Sequence, residues 1–281
     1  MTQQSPLHFG APFQLSGGPG VDLRPNWNAD SQSVIFERLE GGMRRLYRVK
    51  ADGTGLTALD LCNLPGTNAT GRAAFFGQDD FAFVSDRSGQ PAVWRCDLQL
   101  GKVTPLTRAD VPCYGPALAL QNPARLLFFQ KQGEAYHVYM QGTGAPATQL
   151  TRAAGTQDQP WPFPDGRAFV YHAREGKRQV VYQQATEPAA PPVLLSDRDE
   201  GTEYVTPYPS PDGTWIAFAS AAGGGSQVWV MRADGTGRQQ VTFGAPHGFP
   251  AWSPDGTRLV FVRGEPTADR PNGHLWSSLV S

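Results

Sequence analysis

The chain has 281 residues, a formal net charge of −1, 40% hydrophobic and 17% charged residues, enough to bury a sizeable core. The near-neutral balance and scattered arginines give no field for nucleic acid or an acidic membrane surface, so neither is expected as a partner. No apolar run approaches the ~20 residues that span a bilayer, so no membrane insertion is expected.

The opening MTQQSPLHFGAPFQL has no basic n-region followed by an apolar h-region. It reads as cytoplasmic, or as periplasmic if a leader has been removed. Within it, Pro12-Phe13-Gln14-Leu15-Ser16 looks like a short strand. A repeat then begins. Its copies are RPNWNADSQSVIFER at 24–38, RAAFFGQDDFAFVSD at 72–86, GPALALQNPARLLFF at 115–129, QPWPFPDGRAFVYHA at 159–173, TPYPSPDGTWIAFAS at 206–220 and FPAWSPDGTRLVFVR at 249–263. The turn residues Asp30, Asp79, Asn122, Asp165, Asp212 and Asp255 recur 43 to 49 residues apart. Six units of that period, each with several strands, are the signature of a propeller rather than of a helical solenoid.

Each unit decomposes alike. A short apolar strand meets a Pro-Asp-Gly turn, in which Pro presets φ, Asp bonds its own backbone and Gly accepts φ > 0. A second apolar strand follows, then an alternating third strand such as Gln227-Val228-Trp229-Val230-Met231. An Ala-Asp-Gly-Thr-Gly hairpin at 51–55 or 233–237 leads into a fourth strand with endings such as Gln149-Leu150-Thr151. The sixth unit stops after its third strand, and Gln14-Leu15-Ser16 matches the missing ending. The expectation is an all-β, six-bladed β-propeller of four-stranded blades, one domain over residues 1–281 with no separate N-terminal domain, its ring closed by the N-terminal strand. Trp27, Trp161 and Trp252 read as one inner-strand position and Trp94, Trp229 and Trp276 as one third-strand position, all packing between blades.

The pattern P-x-W-S-P-D-G followed by W-V-M-x-A-D-G-T-G resembles the TolB-type propeller repeat, closely in units five and six and more loosely in units one to three. The resemblance covers nearly the whole chain. It implies the propeller fold and a protein or peptide partner, because TolB is a periplasmic scaffold of the Tol-Pal system with an additional N-terminal domain. It extends to propellers that are pectate-fragment lyases or that gate prolyl-oligopeptidase-like enzymes.

No nucleophile elbow, H-E-x-x-H, P-loop or dinucleotide fingerprint occurs. Cys62, Cys96 and Cys113 are odd in number, match no metal spacing and read as free thiols. No catalytic residue, metal ligand or cofactor is assigned. The remaining place for function is the funnel over the central channel, whose candidates are Arg24, Arg72, Tyr114, Asp158, Gln159, Glu203, Tyr204 and His247. The loops between second and third strands add Glu37-Arg38 and others to the same face. A polar, mixed-charge ring with aromatics suits a protein or peptide partner or a small polar ligand. The competing reading is a lyase or hydrolase acting on a carbohydrate or similar polar substrate. His247 would then ligate a divalent cation, or Asp158 and Glu203 would form an acid–base pair.

Overall fold

The computed structural model describes residues 6–187, 191–196, 203–222, 224–264 and 273–281. These residues form strands and turns, and none of them is helical. None therefore belongs to a helix long and apolar enough to cross a membrane.

After β1 (Phe13–Gln14), blade 1 comprises β2 (Val21–Trp27), β3 (Ser33–Glu40), β4 (Met43–Lys50) and β5 (Thr57–Ala58). Blade 2 is β6 (Ala69–Gly77), β7 (Asp80–Ser85), β8 (Ala92–Asp97) and β9 (Lys102–Pro105). Blade 3 is β10 (Cys113–Leu118), β11 (Arg125–Gln132), β12 (Ala135–Gly142) and β13 (Thr148–Gln149). Blade 4 is β14 (Gln157–Pro162), β15 (Ala168–Glu175), β16 (Arg178–Ala185) and β17 (Val193–Leu194). Blade 5 is β18 (Tyr204–Pro209), β19 (Trp215–Ser220), β20 (Gln227–Arg232) and β21 (Gln239–Gln240). Blade 6 takes β22 (His247–Trp252), β23 (Arg258–Arg263) and β24 (His274–Leu279), and β1 adds its fourth strand. Every sheet is antiparallel. Each innermost strand touches those of the two neighbouring blades, so the six sheets form a closed propeller.

Turn chemistry sets the strand ends. In blade 6, Asp255 Oδ1 accepts from Thr257 N at 3.0 Å, Ser253 Oγ donates to the same oxygen at 2.6 Å, and Gly256 sits at φ 73°. Blade cores are built from cross-strand aromatic pairs: Phe36/Tyr47, Phe83/Trp94, Phe128/Tyr139, Tyr171/Tyr182, Phe218/Trp229 and Phe261/Trp276. The second-strand member is buried and the third-strand member only half-buried. Trp94, Trp229 and Trp276 do share one position, as expected, but on the flank of the core. Trp161 does not share a position with Trp27 and Trp252. It pairs with Val170, whereas the equivalents of Val170 face Asn26 and Ala251, one residue earlier than those tryptophans.

The seam repeats a device of the other blades. Third-strand amides of Val93, Val138, Val181 and Val228 each donate at 2.9 Å to the hydroxyl of Thr107, Thr151, Ser196 and Thr242, just beyond the fourth strand. At the seam, Leu275 N donates to Ser16 Oγ at 2.8 Å. Ser16 therefore occupies the same place as those hydroxyls, and β1 pairs with β24 through Phe13↔Ser277 and Gln14↔Trp276.

Candidate functional site at the channel mouth

Along each innermost strand the pairing with the second strand slips near the channel mouth, and in blade 2 it slips again between Phe75 and Gly77. The slips at the mouth lie between Leu23 and Asn26, Thr70 and Ala74, Tyr114 and Ala117, Asp158 and Trp161, Val205 and Tyr208, and Gly248 and Ala251. Each of these contains one residue in the left-handed region: Arg24 (φ 50°), Gly71 (89°), Gly115 (56°), Gln159 (49°), Thr206 (53°) and Phe249 (53°). Such a bulge re-aims side chains that strict alternation would send elsewhere. Left-handed backbone is strained for a non-glycine residue, most of all for β-branched Thr206 and bulky Phe249. The next residue is Pro25, Pro116, Pro160, Pro207 or Pro250 in five blades and Arg72 in blade 2.

All six left-handed residues line one cavity of about 110 Å³ at the mouth of the channel, together with Arg72, Thr70, Tyr114, Phe129 and Trp161. Its floor is an aromatic layer. Trp161 stacks on Tyr208 with centroids 4.5 Å apart. Tyr208 Oη reaches across the channel to donate to Asn26 Oδ1 at 2.7 Å, and Asn26 Nδ2 donates to Ala73 O at 2.7 Å. Blades 2, 3 and 6 carry Ala74, Ala117 and Ala251 at this level, which leaves room for the two large rings. Below the layer lies a second cavity of about 60 Å³, edged by Pro164, Pro211 and Pro254 of the turn face.

The two arginines at the mouth differ. Arg24 Nη1 donates to Glu37 Oε1 at 3.0 Å and Oε2 at 3.2 Å. Glu37 is fully buried and also accepts from Arg44, from the Thr70 hydroxyl and from Gly71 N at 2.9 Å, so it fastens the bulges of blades 1 and 2 together. Arg72 is 9% exposed and has no hydrogen-bond acceptor or carboxylate partner among the described residues. Its guanidinium carbon lies 5.4 Å from the Trp161 ring centroid and 5.0 Å from that of Tyr208. Burial pulls its pKa down to about 10; Tyr208 opposes this and Arg24 adds to it. It remains a cation at neutral pH, held by ring faces alone.

Of the eight residues expected in the funnel, Arg24, Arg72, Tyr114 and Gln159 line this cavity. The other four do not. Tyr204 and His247 lie two residues before a bulge and turn into the blades. Tyr204 stacks on Phe218 at 5.4 Å, and His247 lies edge-on to Phe261 with Nδ1 3.2 Å from Gln227 Oε1. Asp158 is drawn to its strand partner, with Oδ1 2.9 Å from His172 Nε2. Glu203 is exposed and lies within reach of Gln179 Nε2, at 3.4 Å. Asp158 and Glu203 are thus engaged in separate contacts. Among the described residues, no three His, Cys, Asp or Glu side chains group closely enough to hold a metal ion. The sequence reading missed Gly71, Gly115, Thr206, Phe249 and Trp161. The recurrent proline after the left-handed residue was the signal that marks their register.

No family model matches the chain. An uncharacterized protein of Agrobacterium fabrum is 24% identical over 264 residues, covering 92% of this chain and 79% of that protein. A TolB homologue of Chlorobium luteolum is 28% identical over 171 residues, 60% of this chain but only 37% of that protein. Among solved structures, TolB from Acinetobacter baumannii superposes with a TM-score of 0.72 at 17% identity, over 89% of this chain and 64% of that one. The structure of a protein described as TolB from Agrobacterium tumefaciens gives 0.71 at 16% identity, over 95% and 96%. An oligogalacturonate lyase in complex with manganese gives 0.65 at 13% identity, over 97% and 84%. The chain is a TolB-like six-bladed β-propeller.

Proposed function

We propose that this TolB-like propeller is a binding protein that holds a polar group of a protein, peptide or small-molecule ligand in the cavity at its channel mouth. One observation carries the reading. Six bulges, one in each blade, deliver unlike residues, from Arg24 and Gln159 to Thr206 and Phe249, into a single cavity. A ring that served only to close the fold would have no use for that asymmetry or for left-handed backbone at bulky residues. The walls offer donors and aromatic faces, and among the described residues no Asp, Glu, His or Cys side chain lines them. That lining suits capture better than general-base chemistry.

The test is a titration of peptides and small polar compounds followed by calorimetry and by product analysis. Binders should compete for one site and weaken on Tyr114→Ala and Gln159→Ala, with the melting curve nearly unchanged. Substitutions of equal severity on the turn face should leave binding intact. Turnover of any bound compound, or indifference to both cavity substitutions, would overturn the reading.

A further inference from the structure

The position after the left-handed residue is proline in five blades, where it stiffens the bulge and contributes no donor. Blade 2 instead places Arg72 there, inside the slip of the β6–β7 ladder. An unpaired guanidinium that is nine-tenths buried is costly, because desolvation penalises the charge and nothing among the described residues neutralises it. The neighbouring charges do not help. Glu37 is already committed to Arg24, Arg44 and two donors of blade 2, and Arg24 adds repulsion. Arg24 and Arg44 share the one carboxylate of Glu37, and Arg72 is the cation that lines the cavity with no acceptor of its own among the described residues. Around it stand aromatic faces and neutral polar groups: Tyr114, Phe129, Phe249, Gln159 and Thr206.

We propose that the recognised group is a single carboxylate, bound by Arg72 with its carbon skeleton against Phe249, Phe129 and Tyr114. This rests on the binding reading above. One negative charge cancels one cation, and a carboxylate accepts the fork of guanidinium donors in a plane. A phosphate carries charged oxygens on every side and would set some of them against the Phe249, Phe129 and Tyr114 rings, whereas a carboxylate turns an apolar skeleton to them. The carboxylate can come from a small organic acid or from the C-terminus of a chain.

The probes are phenylacetate against phenylacetamide, a tripeptide with a free C-terminus against its C-terminal amide, and inorganic phosphate, titrated at fixed ionic strength. An acid should bind one-to-one and at least about tenfold more tightly than its amide, as expected for a charge-assisted hydrogen bond. Preference for phenylacetate identifies a small-molecule source and preference for the free tripeptide a chain terminus; either supports the assignment. The key variant is Arg72→Pro, which restores the residue of the other five blades. It should abolish discrimination between acid and amide without lowering the melting temperature. Arg72→Met serves if that protein does not fold. Equal affinity for acid and amide, sensitive to Tyr114→Ala, overturns the carboxylate assignment and leaves the binding reading standing. Tighter binding of phosphate than of either acid also overturns it, as does an Arg72 variant that melts lower but still discriminates.

Discussion

Ser16 Oγ donates to Asp22 Oδ2 across 2.5 Å, and Asp22 has no exposed surface. Arg38 clasps the same carboxylate, Nε to Oδ1 at 2.6 Å and Nη2 to Oδ2 at 2.9 Å. Since Ser16 also receives the Leu275 amide, this cluster joins the N-terminal strand, blade 1 and blade 6 at the seam of the ring. Asp22→Ala strands the Arg38 cation and should cost about 3–5 kcal/mol in urea unfolding. Ser16→Ala should cost about 1 kcal/mol. Amide exchange in β1 and β24 should accelerate in both, and an unchanged exchange pattern would refute the seam model.

The tryptophans should separate by burial. Trp27 is 1% exposed and its indole N–H donates to Ala251 O at 3.2 Å, so Trp27→Ala should cost about 3–5 kcal/mol. Trp229 is half-buried on the blade flank, and Trp229→Ala should cost about 2 kcal/mol. Equal losses in parallel denaturation curves would contradict this order.

His247 should report on pH. Burial pushes its pKa down to about 4 from 6.5; a hydrogen bond to Ala245 opposes the shift and Arg263 adds to it. The unfolded chain takes up the proton first, so stability is full above about pH 6.5 and declines as pH falls toward about 4. His247→Gln should flatten the stability profile in that window. An identical slope in both proteins would show that the imidazole is not neutral in the fold.

Gly115 should not tolerate a side chain. A Cβ there would stand 2.4 Å from Phe129 Cε1, at φ 56°. Phe129 is itself confined between Tyr114 and Tyr136, with ring centroids 5.7 and 5.6 Å away. Gly115→Ala should destabilise the chain by about 1–3 kcal/mol and shift Phe129 into the cavity, weakening any ligand. Gly101→Ala, also left-handed at φ 62° but with open space around it, should cost only about 1 kcal/mol and leave binding alone.

The architecture was legible because it is written in short-range chemistry repeated six times. The turn residues from Asp30 to Asp255 mark the period, with full Pro-Asp-Gly turns in blades 4 to 6, and the match of Gln14-Leu15-Ser16 to Gln149-Leu150-Thr151 foretold that the N-terminal strand closes blade 6. The mouth was half legible. Counting side chains by strand alternation assumes an unbroken strand, and a bulge resets that count. Tyr204 and His247, two residues before it, fall on the core side. Asp158 and Tyr114 hold equivalent positions, yet only Tyr114 lines the cavity, because His172 stands beside Asp158 in the paired strand. That contact depends on a residue from the next strand and leaves no mark in local sequence. Trp161 was misplaced by one residue for a related reason: it adjoins Pro160 directly, whereas Trp27 and Trp252 stand one further from Pro25 and Pro250.

The layer of Trp161, Tyr208 and Asn26 lies across the axis of the ring, between the hollow at the mouth and the proline-edged hollow beneath. A solute held at Arg72 would rest on those rings and face the rim, so the rim is its direct way in and out. A macromolecule settling over that rim would cork whatever lay inside, or be turned away by it, so occupancy of the upper hollow and docking at the rim become one coupled equilibrium.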